Sequence, residues 1–189
     1  MIALAGMMVG VIHPAASIVR EKERGTLEQL LVAPISTFQL FLAKIAPTMI
    51  IGLLAVFPSL LIVRAFDVPM RGSLALFLIL TGFFLLSAVA LGVLIAAYSR
   101  TLQQALLLSF FGLFPVMFLS GTLTPVEAMP DVLQALSRLS PLRYYMDIII
   151  GVFLKGVGWR DLWDESLCLI AIAIPMLILS LGIFRRRLQ

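Results

Sequence analysis

Residues 73–98 run for 26 positions, from Ser73 to Tyr98, without a single charged side chain. A helix rises 1.5 Å per residue, so about 20 apolar residues cross a hydrocarbon core about 30 Å thick. This stretch is long enough to do so and reads as a membrane-crossing helix. Four further stretches read the same way, at about residues 1–19, 38–63, 105–121 and 162–184, the fourth of the five being only marginally long and interrupted by Pro115. With 61% hydrophobic and 13% charged residues in 189, the chain lacks the polar surface to cover a soluble domain. The expected fold class is an all-α polytopic membrane protein, one transmembrane domain over 1–189. Pro47 and Pro58 predict kinks in the second span. Gly6 and Gly10, four apart in the first, allow a close helix–helix contact.

One segment stands apart. Arg20-Glu21-Lys22-Glu23-Arg24 follows nineteen uncharged residues and opens a loop over 20–37. After Gly25, Thr26 and Gln29 have the spacing of a capping box, and Glu28 in the same first turn suits the positive end of a helix dipole. Leu27, Leu30 and Leu31 would give this short helix an apolar stripe, and Pro34 would end it. Two readings stay open on the residues alone: a helix that docks a partner, or a solvated loop whose charge only sets topology. A second capping box, Ser36 with Gln39, starts the next span.

The basic residues predict an orientation. With the amino terminus outside, the inner side holds Arg20, Lys22, Arg24, Lys44, Arg100, Arg185, Arg186 and Arg187 against Glu21, Glu23 and Glu28. The outer side then holds six basic and seven acidic residues. The net charge of +4 is thereby explained as membrane orientation, without a nucleic-acid partner.

Residues 122–160 are too polar and too interrupted to cross a membrane. Pro130 and Asp131 suit a helix start, and Val132, Leu133, Leu136 and Leu139 share one face. Ser140-Pro141 starts another helix that ends at Lys155-Gly156, and Ile148, Ile149, Ile150 and Phe153 predict that it is buried. These read as interfacial or re-entrant helices on the outer side. Tyr144, Tyr145, Trp159 and Trp163 fit an outer aromatic belt, and Asp161 is placed as the cap of the last span.

Catalytic constellations are missing. No phosphate-binding G-x-x-x-x-G-K-[ST] loop and no G-x-S-x-G occur, and no cofactor or metal site is expected. The lone His13 reads as a helix-end residue near the interface, and the lone Cys168 as a small core residue. No span carries an Asp, Glu, Lys or Arg near its middle, so an ion-coupled pump is disfavoured. Energy for transport would have to arrive from another subunit.

The run V-R-E-K-E-R-G-T-L-E-Q-L-L-V-A-P-I-S (19–36) resembles the first cytoplasmic loop of ABC-2 type exporter permeases. So do L-S-G-T-L-T-P-V-E-A-M-P (119–130) and the two runs S-P-L-R-Y-Y and G-V-F-L-K-G within 140–156. The resemblance implies that Arg20, Glu21, Glu23, Arg24, Gly25, Thr26, Glu28, Gln29 and Leu30 couple to an ATP-binding subunit. It places Ser120, Gly121, Pro125, Glu127, Pro130, Pro141, Arg143 and Tyr144 in the outer re-entrant region. It also implies a second permease subunit, in a homo- or heterodimer, a bacterial inner membrane, and a chain that is itself no enzyme. Family members usually begin with one more span and an extracytoplasmic domain, so the chain reads as a fragment starting at their second span. The runner-up readings are a membrane assembly or secondary transport component not coupled to ATP, and then an intramembrane enzyme, for which the spans offer no polar dyad.

Overall fold

The computed structural model describes residues 2–26, 36–66, 72–122 and 125–188. The elements run α1 (Ile2–Glu23), α2 (Thr37–Leu54), α3 (Val56–Ala65), α4 (Leu74–Tyr98) and α5 (Leu102–Leu119). A short 3₁₀ turn (Val126–Ala128) leads to α6 (Asp131–Ser137) and α7 (Pro141–Ile150). The latter passes into a π turn (Gly151–Lys155) before α8 (Trp163–Leu188). No strand occurs among the described residues. Five helical stretches are long and apolar enough to span a membrane, with α2 and α3 together forming the second.

The uncharged run that made α4 the firmest expectation also makes it the central helix. It packs against α1 on one side and α8 on another, and fourteen of its residues are buried. Ser73 caps its start. Lipid tails are as apolar as leucine, so helices in a membrane associate by close packing of small residues. The contact of α1 with α4 follows that rule. A methyl group added at Gly10 would lie 2.6 Å from Ala88 Cβ, and one at Gly92 would lie 2.7 Å from Pro14 Cγ. Gly6 faces Phe84 in the same seam, so the glycine pair of the first helix is a packing surface.

The second span is broken. Pro47 stays inside α2, whereas the regular helix is interrupted at Ala55 (φ −65°, ψ −16°), three residues before Pro58. Pro58 has no N–H to give Leu54, and the interruption falls where that bond is missing.

Toward the start of α4, α7 is held against it by Tyr145. Its ring stacks on Phe84 at a centroid distance of 4.0 Å, and its hydroxyl bonds Thr81 Oγ1 at 2.8 Å. Tyr145 is therefore a core residue and not part of an aromatic belt. Trp159 and Trp163 do stand exposed, edge to face at 6.1 Å. Of the apolar residues expected to be buried, Ile148 and Phe153 are, Ile149 is partly buried and Ile150 is exposed; on the apolar face of α6, Val132 and Leu136 are exposed, as is Leu139 just beyond it. The start of α8 also differs from expectation. Ser166 N–H donates to the Leu162 carbonyl at 3.0 Å, making Leu162 the capping position in place of Asp161.

Candidate functional site

The charged run is not a loop through its whole length. α1 continues to Glu23, four residues past the expected end of the span. Arg, Glu and Lys are all good helix formers, so nothing in Arg20–Glu23 opposes continuation. The stop is Gly25. It adopts φ +68° just beyond the end of the helix, and its N–H donates to the Lys22 carbonyl at 3.1 Å. That conformation is nearly free for glycine and costly for residues with a Cβ. Thr26 follows, its hydroxyl donating to the Glu21 carbonyl at 3.3 Å. Glu28, Gln29 and Leu30, with the capping box and leucine stripe, lie outside the described residues.

Three consecutive side chains at this helix end each reach a different helix. Lys44 Nζ on α2 donates to Glu21 Oε1 at 2.5 Å, and the two side chains retain only 17% and 25% of their surface, respectively. Lys22 Nζ donates to the Ala96 carbonyl at 2.6 Å, within the last turn of α4. A cation there meets carbonyls that have no partner inside their own helix. Glu23 Oε1 accepts the backbone N–H of Leu102 at 2.8 Å, the first residue of α5, where a carboxylate suits the positive end of the dipole. Glu21, Lys22 and Glu23 thus tie the end of α1 to α2, α4 and α5. Arg20 and Arg24 are exposed, and neither has an ion-pair or hydrogen-bond partner among the described residues. The inward clamp was not legible in a run of alternating sign. The hint that existed was Lys44, a lone cation one helix away.

Above the clamp, α1, α2 and α5 enclose an open cleft of about 700 Å³. His13 lines it, and its Nδ1 bonds Thr48 Oγ1 of α2 at 2.8 Å. His13 stands within α1, ten residues before the helix ends at Glu23.

The segment from Ser120 to Tyr144 is held by local bonds. Ser120 Oγ donates to the Met117 carbonyl at 2.6 Å, and Gly121 takes φ +80° directly after α5. Pro125 precedes the 3₁₀ turn that contains Glu127, and the Pro130 carbonyl accepts the first N–H groups of α6. Pro141 is the first residue of α7. Arg143 Nη1 donates to Ser137 Oγ at 2.5 Å, and the Tyr144 hydroxyl donates to the Arg138 carbonyl at 2.9 Å, joining α7 to α6. A cavity of about 330 Å³ between α7 and α8 is lined by Asp147, Lys155, Asp161 and Glu165. Asp147 keeps an exposed edge, but the protein packed around it withdraws water and pushes its carboxyl above the usual carboxylate range. Arg143 pulls it back and Glu165 adds to the rise. Among the described residues no group of His, Cys, Asp or Glu could hold a metal ion.

The described residues form a bundle with five helical stretches long and apolar enough to cross a membrane, a charged clamp at one end of α1, and short helices α6 and α7. The family is fixed by comparison. The sequence pattern of the ABC-2 type transporter family matches residues 1–154, and the chain belongs to that family. It is 35% identical to the probable multidrug ABC transporter permease YbhR of Escherichia coli K12, over all of this chain and 51% of that protein. It is 33% identical to the probable multidrug ABC transporter permease YbhS of the same strain, over 96% of this chain and 49% of that protein. The inner membrane transport permease YhhJ, also of that strain, is 29% identical over 95% of this chain and 48% of its own length. The chain spans about half the length of these relatives.

Proposed function

We propose that this chain is the pathway-forming part of a permease subunit in an ATP-driven exporter of the bacterial inner membrane. An ATP-binding subunit docks on the segment Arg20–Leu30, and two permease subunits together enclose the route. The amino terminus lies outside and the carboxyl terminus in the cytoplasm. The observation that carries this reading is the division of labour in the charged run. Glu21, Lys22 and Glu23 are committed to α2, α4 and α5, while the side chains of Arg20 and Arg24 have no partner among the described residues. A push on the segment after Gly25 reaches four helices at once through those three bonds. Complementary charges across a docking surface set register and exclude wrong partners, which suits Arg20, Arg24 and Glu28.

The test is co-purification. A soluble P-loop ATPase is expected to accompany the full permease out of the membrane. Glu28→Lys should abolish that association and leave membrane insertion intact. Undiminished recovery of the ATPase with the variant would overturn the docking assignment.

A further inference from the structure

The two sides of α7 are held by unlike means. Toward α4, Tyr145 stacks on Phe84 and bonds Thr81, and the Gly72 N–H donates to the Val152 carbonyl of the π turn at 2.9 Å. None of these contacts uses a group that titrates near neutral pH. Toward α8 the seam is charged. Asp147 of α7, Asp161 of the connecting segment and Glu165 in the first turn of α8 line one cavity of about 330 Å³, with Lys155 the one cation among its described lining. Pairing Lys155 with any one carboxylate would still leave two acids facing each other. Glu165 Oε2 is buried with no hydrogen-bond partner among the described residues. Carboxylates gathered away from water oppose one another's ionisation, and the packing around Asp147 favours its neutral form. Facing Asp147 are Arg143 of its own helix, Lys155 of the π turn, Glu127 of the 3₁₀ turn, and Asp161 and Glu165 across the cavity. Of the other helices packed on α7, α4 and α5 hold no Asp, Glu, Lys, Arg or His, and α1 holds none before His13.

The seam is also narrow. A methyl group added at Gly151 would lie 2.8 Å from Leu162 Cδ2 and 3.0 Å from Val157 Cγ2, and the Gly151 carbonyl accepts the Val157 N–H at 3.2 Å. Between the π turn and this segment stands Gly156 at φ +67°, a conformation nearly free for glycine. We propose that the seam between α7 and α8 is a proton-dependent latch, closed while the cluster of Asp147, Asp161 and Glu165 holds a proton and parted, at the Gly156 pivot, when that proton leaves. The moving part is residues 157–162 with the start of α8; α7 stays on α4. The closed form binds the proton more tightly than the open one, so closure is complete at acid pH and is lost as pH rises from the usual carboxylate range through the raised one. The latch does not depend on the permease reading.

The experiment uses the full permease in nanodiscs, with Cys168→Ser and with Val157→Cys as the sole cysteine, a change that nearly conserves volume. Its reaction with uncharged methyl methanethiosulfonate is followed against pH. Leu139→Cys, at an exposed position, is the control at each pH. The ratio of the rate at 157 to that at 139 should rise about tenfold from about pH 5 to about pH 8, the effect of a one-unit difference in proton affinity between closed and open seam. Carboxylate charge beside the thiol disfavours the thiolate and by itself would lower the ratio as pH rises, so a rise reports opening. Asp147→Asn, neutral at every pH, should hold the ratio at its acid value. Glu165→Gln, which removes one repelling charge and leaves Asp147 in place, should shrink the rise. A ratio that stays flat or falls with pH, or a rise undiminished in either variant, overturns the latch.

Discussion

The clamp at the end of α1 makes a claim about energy that can be worked through. Lys44 and Glu21 meet at 2.5 Å with 17% and 25% of their side-chain surface exposed, and Glu21 Oε2 is buried without a hydrogen-bond partner among the described residues. Lys44→Met keeps the apolar stem and deletes the charge. Removing one partner of a fully buried ion pair costs about 3–5 kcal/mol, because the other charge is stranded. Residual water at this pair screens the interaction, which lowers the expected cost to about 1–2 kcal/mol. Glu21→Gln, which strands no anion, should cost less. Combined with Lys44→Met, it should restore part of the loss, since the stranded carboxylate is gone. The assay is a double-mutant cycle on the whole permease in bicelles, with unfolding read by steric trapping. The cycle should return a coupling of about 1 kcal/mol or more. A coupling within the roughly 0.3–0.5 kcal/mol expected of independent sites would refute the clamp as an energetic link.

Three further substitutions follow from the packing and from the cavity between α7 and α8. Gly10→Leu drives a side chain into Ala88, where even a Cβ would sit at 2.6 Å, and should cost about 1–3 kcal/mol in the same unfolding assay; Gly182→Ala, in open space on α8, should instead stabilise by up to about 1 kcal/mol. Asp147, whose carboxyl is raised by burial, binds its proton more tightly folded than unfolded, so stability should fall as pH rises from the usual carboxylate range through the raised one. Arg143, Glu165, Lys155 and Glu127 face it, and Asp147→Asn should flatten this part of the pH profile in thermal melts.

Span number and helical class were legible because a membrane crossing is set by length and absence of charge, both countable in the sequence. The glycine seam was legible as a possibility, since Gly6 and Gly10 sit on one face, but its partner Ala88 was not. The errors share one origin. Charge was read as the end of a helix, whereas Arg20–Glu23 continues it because each inward side chain finds a partner on another helix. The helix therefore runs four residues past the expected end of the span. Tyr145 was read by residue type as interfacial, yet the hydroxyl finds Thr81 and the ring finds Phe84, so burial leaves no polar group unpaired. The break at Ala55 followed from Pro58, while Pro47 left its helix unbroken; composition does not distinguish the two prolines.

The central claim is that force enters this subunit at the end of α1. Photocrosslinking places it most directly, with p-benzoylphenylalanine at Arg24 or, as the opposite-end control, at exposed Leu139, in membranes carrying the permease and its ATP-binding subunit. An adduct with the ATP-binding subunit is expected at position 24 alone. No adduct at 24, or adducts of equal yield at both positions, would contradict it.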